Sequence, residues 1–283
     1  MLNHIIQKVK RIINLPNQIQ SLETRLNDLE TKASSQEIQA LLKLKFQEYH
    51  ISPPEKLPLF DQVGFKAYSQ FEEDGILLYI FSLIGTTNKK VVEICAGHGK
   101  ECMAANLIIN HGWQGYLFDG SEQNVKSAQN FFANHKQTFL MPPTVNHAWF
   151  TAENVNQILS DAGVSGEIDL LSLDIDGMDY WVWKAIKVIQ PRVCLFETHN
   201  VIPSHLSLTA KYDPNFYYLN QPTVYSKWLD CLILKVGVKH ELTPYTSRVF
   251  VILPKFISHP CLVYISLDVL KVPHSVSNIF RYL

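Results

Sequence analysis

The chain has 283 residues, of which 47% are hydrophobic and 18% are charged, as is typical of a globular protein with a sizeable core. Its 25 basic and 26 acidic side chains nearly cancel, so the total charge does not favour a nucleic-acid partner. Five scattered cysteines without a CxxC pair favour free thiols in a reducing cytoplasm over a disulfide framework or a zinc site. The longest apolar run, residues 75–85, is roughly half the length needed to span a bilayer, so we expect a soluble protein.

Residues 1–50 differ from the rest of the chain and predict an N-terminal helical, coiled-coil extension. Apolar residues recur there with heptad spacing: Ile5, Ile12, Ile19, Leu26 and Ala33, with Leu15, Leu22 and Leu29 three places after three of them. Pro16 interrupts this seam, which predicts one helix to about Asn14 and another over 16–33. The seam favours a homo-oligomer formed through the helix, although packing on the chain's own body remains an alternative. Residues 1–22 contain basic but no acidic side chains, which would also suit a membrane surface.

Residues 51–65 are proline-rich and are predicted to link this extension to a globular domain over 66–283. In that domain, Ser69 and Glu72 have the spacing of a capping box before a helix. Strand patterns then alternate with helix patterns; the strand patterns occupy residues 90–95, 115–119, 138–150, 168–174, 192–198, 240–245 and 248–254. The alternation predicts an α/β fold with a doubly wound, mainly parallel, seven-stranded Rossmann-like sheet, whose last two strands form an antiparallel pair at its edge.

The loop after the first strand, CAGHG at 95–99, contains two glycines that would let backbone N–H groups approach a ligand. A dinucleotide fingerprint requires a third glycine where Cys102 stands, and it disfavours an acid such as Glu93 at the end of the strand. A second acid, Asp119, closes the next strand. Two strand-end acids suit S-adenosylmethionine (SAM), because its ribose hydroxyls would donate to Asp119 and its cationic groups favour Glu93. The alternative is that the glycines only form turns.

Two segments, EICAGHG and GYLFDGSE, resemble the first and second motifs of class I SAM-dependent methyltransferases. Together with YSQFEEDGIL, GWQGYLFDG and LLSLDIDGMDYWVW, they resemble the FkbM-like group, which is linked with methylation of sugars, over roughly residues 66–255. The resemblance implies that the cofactor is bound by Glu93, Ala96, Gly97, His98, Gly99, Asp119, Gly120, Ser121 and Asp174. Cys95 stands where the family motif has its first glycine, so we expect this loop to form only with a negative φ at Cys95.

Three aspartates stand close together where the strand at 168–174 ends, and the first of them, Asp174, is expected at its carboxyl end in the catalytic crevice. Asp176 and Asp179 have the spacing of an N-cap and N3 pair for the next helix, so they are expected to bind free N–H groups.

The following strand ends at Glu197, His199 and Asn200, beside Asp174. The oxygen ligands among these residues, Asp174, Glu197 and Asn200, would suit Mg²⁺ or another divalent cation, as the resemblance also implies. Without a cation, Asp174 or His199 would act as general base, with His98 as a competing candidate.

Residues 199–225 form a long segment with little periodicity, rich in aromatic and amide side chains that suit a carbohydrate or another flat polar acceptor. We expect the tryptophans at 113, 149, 181 and 183 to pack in the core or against helices. The sequence therefore predicts a cytoplasmic SAM-dependent methyltransferase that acts on a hydroxyl of a small-molecule or glycan acceptor. A noncatalytic scaffold or binding module with the same fold, assembling through its N-terminal helix, is the alternative. A nicotinamide-dependent oxidoreductase is disfavoured by Cys102 and Glu93.

Overall fold

A computed structural model describes residues 35–52, 54, 57–198, 210–217, 249–254 and 264–265. The predicted heptad seam at 5–33 and the predicted strand at 240–245 lie outside these residues, as does the helix pattern at 224–237 that precedes this strand in the sequence. No described helix combines the length and the apolar character that crossing a membrane requires.

Helices and strands alternate along the described chain, which confirms the α/β class. The elements are α1 (Gln36–Ile51), a 3₁₀ turn (Phe60–Gln62), α2 (Glu73–Ile84), β1 (Lys90–Ile94), α3 (Ala105–His111), β2 (Gln114–Asp119), α4 (Glu122–Asn134), β3 (Thr144–His147), α5 (Val155–Asp161), β4 (Gly166–Leu173), α6 (Asp179–Ala185), β5 (Ile189–Thr198), β6 (Val249–Pro254) and β7 (Tyr264–Ile265).

The described strands form one sheet in the order β3-β2-β1-β4-β5-β6-β7. Neighbouring strands from β3 to β6 are parallel, which confirms the mainly parallel sheet, and β7 runs antiparallel to β6. Because β1 and β2 pair in register from Lys90 with Gln114 to Ile94 with Phe118, both strands end at the same edge. The predicted closing pair differs from the structure, because the antiparallel partner of β6 is the two-residue strand at 264–265.

Apolar side chains cover both faces of the sheet, as parallel sheets require. On one face, Val91, Leu117 and Leu170 pack with residues of α1 to α4 in one hydrophobic core. On the other face, Val92 and Leu171 pack with residues of α5 and α6 in a second core. The alternation of neighbouring residues between the two cores explains why the strands are continuous apolar runs in the sequence.

The helix α1 and the chain that follows it belong to the body of the fold. Phe46 of α1, together with Leu57 and Phe60, is buried in the same core as α2. Gln39 of α1 is fully buried and exchanges two side-chain hydrogen bonds with Asn106 of α3, at 3.1 and 3.0 Å. The described part of the predicted extension therefore packs against the domain through these contacts.

The capping box predicted at Ser69 is replaced by a different arrangement. Helix α2 begins at Glu73, and Asp74 Oδ2 accepts from the amides of residues 67, 68 and 69 at 2.6–2.9 Å. Asp74 is 1% exposed, and its Oδ1 has no hydrogen-bond partner among the described residues. Burial raises the pKa of Asp74 to about 6, although the three amides oppose the rise.

Helix α6 is shorter than its sequence pattern predicts. The sequence after Asp179 predicts a helix from Tyr180 to Ile189, but α6 ends at Ala185 and Ile189 already begins β5. Asn156 explains the difference, because its Oδ1 accepts from the amides of Lys187 and Val188 at 2.6 and 3.0 Å. These bonds divert the chain from the helix into the strand.

Candidate functional site

A cavity of about 580 Å³ opens at the carboxyl ends of β1, β2 and β4, where ligands bind in open α/β sheets. Its walls come from the strand ends, from the chain after β3 and from residues 212–217. The lining residues are Cys95, Asp119, Gly120, Ser121, Asn124, Ala148, Trp149, Phe150, Thr151, Asp174, Ile175, Asp176, Met178, Tyr212, Asp213, Pro214, Phe216 and Tyr217. The volume lies within the range of pockets that hold cofactors.

Asp119 ends β2 and joins the glycine loop to the cavity wall. Its Oδ2 accepts from the amide of Gly97 at 2.8 Å, and its Oδ1 accepts from the amide of Ser121 at 2.8 Å and from Asn124 Nδ2 at 3.0 Å. A carboxylate offers about four acceptor positions, so these three bonds leave one position on Oδ2 for a ligand donor.

Glu93 lies at the same edge of the sheet as Asp119 but turns away from the cavity. Its two carboxylate oxygens accept from the amides of Met103 and Ala104 at 2.9 and 2.7 Å, just before α3 begins. Burial raises the pKa of Glu93 to about 7, while these amides oppose the rise. The structure thus places Glu93 behind the loop, because α3 presents unpaired amides to it.

The loop at 95–99 is formed with Cys95 in the left-handed region, at φ +68°. The expectation of a negative φ at Cys95 is therefore wrong: the residue adopts a left-handed conformation that glycine adopts without strain. Cys95 lines the cavity. Surrounding protein atoms raise the pKa of Cys95, and the negative charges of Asp174 and Asp119 raise it further.

Other residues of the predicted glycine loop lie outside the cavity wall. Ala96 is buried in the core on the α4 side of the sheet. A Cβ on Gly99, which has φ +80°, would lie 3.0 Å from side-chain atoms of Ala128 and Phe132, so Gly99 serves packing on α4. His98 is exposed, and its Nδ1 accepts from the amide of Lys100 at 3.3 Å. The loop reaches the cavity through Cys95 and through the bond from Gly97 to Asp119.

The chain after β4 lines the cavity with Asp174, Ile175, Asp176 and Met178. Asp179 shapes this turn: it is 2% exposed and its carboxylate accepts from the amides of Ile175 and Gly177 at 2.9 and 3.0 Å. Asp179 is the first residue of α6 and bonds the preceding turn, so the predicted N-cap and N3 pair differs from the structure. Burial and then the charge of Asp174 raise the pKa of Asp179.

The structure tests the predicted base and metal ligands only in part. His199, the predicted base, and Asn200 lie outside the described residues, and Glu197 is described by its backbone alone, which pairs with Leu253 of β6. Asp174 follows β4, which is the neighbour of β5 in the sheet. Within the described ranges, no group of three or more His, Cys, Asp or Glu side chains is arranged to hold a metal ion.

An aromatic wall lines the cavity; it joins Tyr212, Phe216 and Tyr217, which belong to the predicted acceptor segment, with Trp149, which the sequence did not assign to the site. Trp149 is 46% exposed and lines the cavity, so the expectation that it packs in the core or against a helix is wrong for this residue. Its ring meets that of Tyr217 edge to face at 6.1 Å. A Cβ on Gly120 would lie 3.0 Å from the Trp149 ring, and one on Gly177 would lie 2.7 Å from Phe216. These glycines allow the rings to approach the backbone. The sequence shows the two glycines, but it does not show which aromatic rings pack against them.

Residues 210–217 are held against the cavity by side chains from both of its flanks. Trp149 Nε1 donates to the carbonyl of Pro214 at 3.1 Å, and Trp181 Nε1 donates to that of Ala210 at 2.8 Å. The hydroxyl of Tyr212 donates to Glu153 and accepts from the amide of residue 152. The segment is therefore an anchored wall of the cavity, as expected of a long functional loop.

Four of the nine predicted cofactor residues line the cavity, namely Asp119, Gly120, Ser121 and Asp174. Gly97 reaches it through Asp119, and Glu93, Ala96, His98 and Gly99 face elsewhere. The arrangement combines a carboxylate acceptor, an acidic turn and aromatic faces, which together suit a ligand with hydroxyl donors, positive charge and a flat ring.

No protein-family model matches the chain, and no curated protein matches it. Among solved structures, it is similar to an S-adenosylmethionine-dependent methyltransferase from Clostridium acetobutylicum at 14% identity and a TM-score of 0.30, over 41% of this chain and 44% of that one. It is also similar to a Plasmodium falciparum protein described as a protein-L-isoaspartate O-methyltransferase, in complex with S-adenosyl-L-homocysteine, at 10% identity and a TM-score of 0.31, over 57% of this chain and 78% of that one. The chain thus spans less than half the length of the first protein, and both neighbours are methyltransferases matched at low similarity.

Proposed function

We propose that the chain is a SAM-dependent O-methyltransferase that acts on a hydroxyl of a sugar or glycan precursor. The observation that carries this proposal is the position of Asp119, which ends β2 at the cavity wall and binds the glycine loop through Gly97. A strand-end carboxylate beside a glycine loop, at the carboxyl edge of a parallel sheet, is suited to the ribose of a nucleoside cofactor.

The cavity residues fit such a cofactor in three respects. Asp119 Oδ2 keeps one acceptor position for a ribose hydroxyl, since three hydrogen bonds use the others. Trp149 offers an exposed aromatic face next to Gly120 for a flat base. Asp174 and Asp176 supply negative charge at the end of β4. When bound, SAM would supply an activated methyl group attached to a sulfonium.

Residues of the chain would orient the acceptor and accept its proton. Asp174 lies on the cavity wall, where its carboxylate would accept a hydroxyl proton, and His199 is the second candidate base, following β5. Positioning of the acceptor contributes a large share of the rate in such reactions, about 7–11 kcal/mol of barrier at best. A divalent cation held by Asp174, Glu197 and Asn200 is a further proposal from the sequence.

The aromatic wall favours a ring-shaped acceptor. Tyr212, Phe216 and Tyr217 line the cavity together with the carboxylate of Asp213. Aromatic faces that alternate with hydrogen-bonding groups suit sugars, because a sugar ring has apolar C–H faces and a polar edge.

Calorimetry with SAM and S-adenosylhomocysteine tests the cofactor. We expect the wild type to bind both and Asp119→Ala to bind at least about tenfold more weakly, since a buried acceptor is lost. Asp161→Ala, which removes an exposed carboxylate at the end of α5, is the matched control and should bind as the wild type does. Lack of binding by the wild type at millimolar cofactor would rule out the proposal.

A noncatalytic binding module with this fold is the second candidate. It is favoured by Glu93, whose carboxylate is used by the protein's own amides instead of facing the cavity. The two candidates differ in turnover: release of S-adenosylhomocysteine with sugar acceptors, lost in Asp174→Asn, supports the enzyme. Cofactor binding without any transfer to a panel of acceptors would favour the module.

A further inference from the structure

The turn between α4 and β3 exposes three consecutive large apolar side chains. Phe139, Leu140 and Met141 are 56%, 81% and 86% exposed. Single exposed apolar residues are common on proteins, but adjoining ones mark interaction surfaces. We call these three residues the apolar tip.

The apolar tip is held in a defined turn. Thr138, just before it, is 2% exposed, and its hydroxyl donates to the carbonyl of Phe132 at 2.6 Å. The amide of Phe139 donates to the carbonyl of His135 at 2.9 Å, and the amide of Met141 donates to that of Thr138 at 3.0 Å. These hydrogen bonds therefore hold the turn in a conformation that exposes the apolar tip to solvent. Packing within the protein does not explain this exposed apolar surface.

The charge around the tip is positive. Residues 123–152 contain no Asp or Glu, and the exposed Lys136 lies three residues before Phe139. Lys90 begins β1 at the same end of the sheet. The acids at this end lie on other elements: Glu37 in the first turn of α1, Asp161 at the end of α5, and Glu167 in β4, which is three strands away from β3. The chain on both sides of the tip thus carries basic but no acidic side chains.

The position of the tip relates it to two other parts of the molecule. Met141 precedes β3 by three residues, so the tip lies at the amino ends of the parallel strands, opposite the cavity. Helix α1 begins at this end as well, because Gln36 Nε2 donates to the carbonyl of Asn110 near the end of α3. In the sequence that precedes α1, residues 1–22 carry basic and apolar but no acidic side chains.

We propose that this end of the sheet docks on an anionic lipid bilayer, with the apolar tip inserted among the lipids and the cavity facing the aqueous phase. Because the side chains of consecutive turn residues point in different directions, the apolar medium of a bilayer can surround all of them. A protein groove would contact only one side of the tip. The basic surrounding complements anionic headgroups, and two weak signals together, apolar and electrostatic, give stable membrane binding. The inference is independent of the proposed methyl transfer.

Flotation of the full chain with vesicles tests the docking. We expect it to float with phosphatidylcholine vesicles that contain phosphatidylglycerol and to float less with pure phosphatidylcholine. The triple variant Phe139→Ser, Leu140→Ser and Met141→Ser should partition at least about tenfold more weakly. Ile51→Ser, which removes an 89% exposed apolar side chain at the other end of α1, is the matched control and should float as the wild type does.

A gain-of-binding variant guards against a folding artefact. Phe139→Trp should partition about twofold more strongly, because tryptophan favours the membrane interface, and brominated lipids should quench its fluorescence. Unchanged flotation of the triple serine variant would overturn the proposal. If flotation stays unchanged while the oligomer size or melting temperature of that variant changes, the proposal is also overturned. The tip would then be covered by a second copy or by residues 1–34.

Discussion

Buried carboxylates at the two ends of the sheet differ in what surrounds them. At the amino end, Asp169 of β4 is fully buried and accepts from the Arg192 guanidinium at 2.6 Å and from the amides of residues 87, 88 and 89. Burial alone would raise the pKa of Asp169, but Arg192 and these amides outweigh it and hold the pKa below its usual value. At the cavity end, Glu93 and Asp179 each accept from two amides, and burial raises the pKa of both.

The comparison shows how this fold separates stability from function. A carboxylate with a guanidinium and several amides is stabilised in its charged form, so Asp169 ties β4 to the chain before β1 and to β5. A carboxylate with only two amides is not fully compensated, and its charge lowers stability at neutral pH. Perturbed groups of the second kind are typical of functional sites, where they hold the walls and the field of a cavity.

The largest effect is expected at the amino end. Asp169→Ala should lower the free energy of unfolding by about 3 kcal/mol or more, because it leaves the charge of Arg192 without its counter-charge and three amides without their acceptor. Urea unfolding measures the loss. Glu167→Ala, an exposed acid two residues away, should change the free energy by less than about 0.5 kcal/mol. A loss of equal size in both variants would contradict the distinct role of Asp169.

A smaller effect is expected at Glu93, and it depends on pH. The folded pKa of Glu93 is about 7 and its ordinary value is 4.5. Between these values the folded state holds a proton that the unfolded state has lost, so the free energy of unfolding falls as pH rises through this range. Glu93→Gln stays neutral and should remove about 2 kcal/mol of this fall, measured by urea unfolding at about pH 5 and about pH 7.5.

Two comparisons isolate Glu93 in that experiment. Asp74 also has a raised pKa, near 6, and contributes to the fall in both the wild type and the variant, so the difference between them belongs to Glu93. Glu101→Gln, which changes an exposed acid before α3, should retain the full wild-type dependence on pH. The interpretation fails if Glu93→Gln retains it too.

The third effect concerns binding at the cavity. Asp179→Asn keeps one carboxamide oxygen, so one of the amides of Ile175 and Gly177 loses its acceptor and the turn that carries Asp174 loosens. We expect S-adenosylhomocysteine to bind about fivefold more weakly, or about 1 kcal/mol, by calorimetry. Asp161→Asn serves as the control for loss of a distant exposed charge. Wild-type affinity in Asp179→Asn would show that the turn does not need this carboxylate.

The sequence predicted the parallel sheet and the edge at which its acids meet, because apolar runs alternate with helix patterns and parallel strands end together. Asp119 and Asp174 follow directly from this rule, since both stand at strand ends. The rule specifies the edge of the sheet and not the side to which a residue turns. Glu93 also stands at a strand end, but the amides before α3 draw its carboxylate behind the loop.

The sequence predicted that the aromatic residues of 199–225 serve the acceptor, but it did not predict that Trp149 joins them. Trp149 and Phe216 are separated by 67 positions in the sequence, and they enter one cavity only because residues 210–217 cross back over the strand ends. A tryptophan after a short strand has the same pattern whether it packs inside or lines a site. Its role depends on Gly120, whose missing Cβ leaves space for the ring.

The smallest effect concerns backbone strain, which occurs at both ends of the sheet. Cys95 at the cavity end and Lys89 at the amino end have φ values of +68° and +53°. The left-handed region costs an L-residue about 1–2 kcal/mol, and glycine loses about 0.5–1 kcal/mol through chain entropy. Cys95→Gly and Lys89→Gly should therefore each raise the free energy of unfolding by about 0.5 kcal/mol.

Cys95→Ala keeps the Cβ and should not raise the free energy of unfolding. Equal stability of the glycine and alanine variants would mean that no strain is stored at Cys95. Cofactor affinity, measured on the same proteins, should change only for the exchanges at Cys95, because Lys89 lies at the far end of β1 from the cavity.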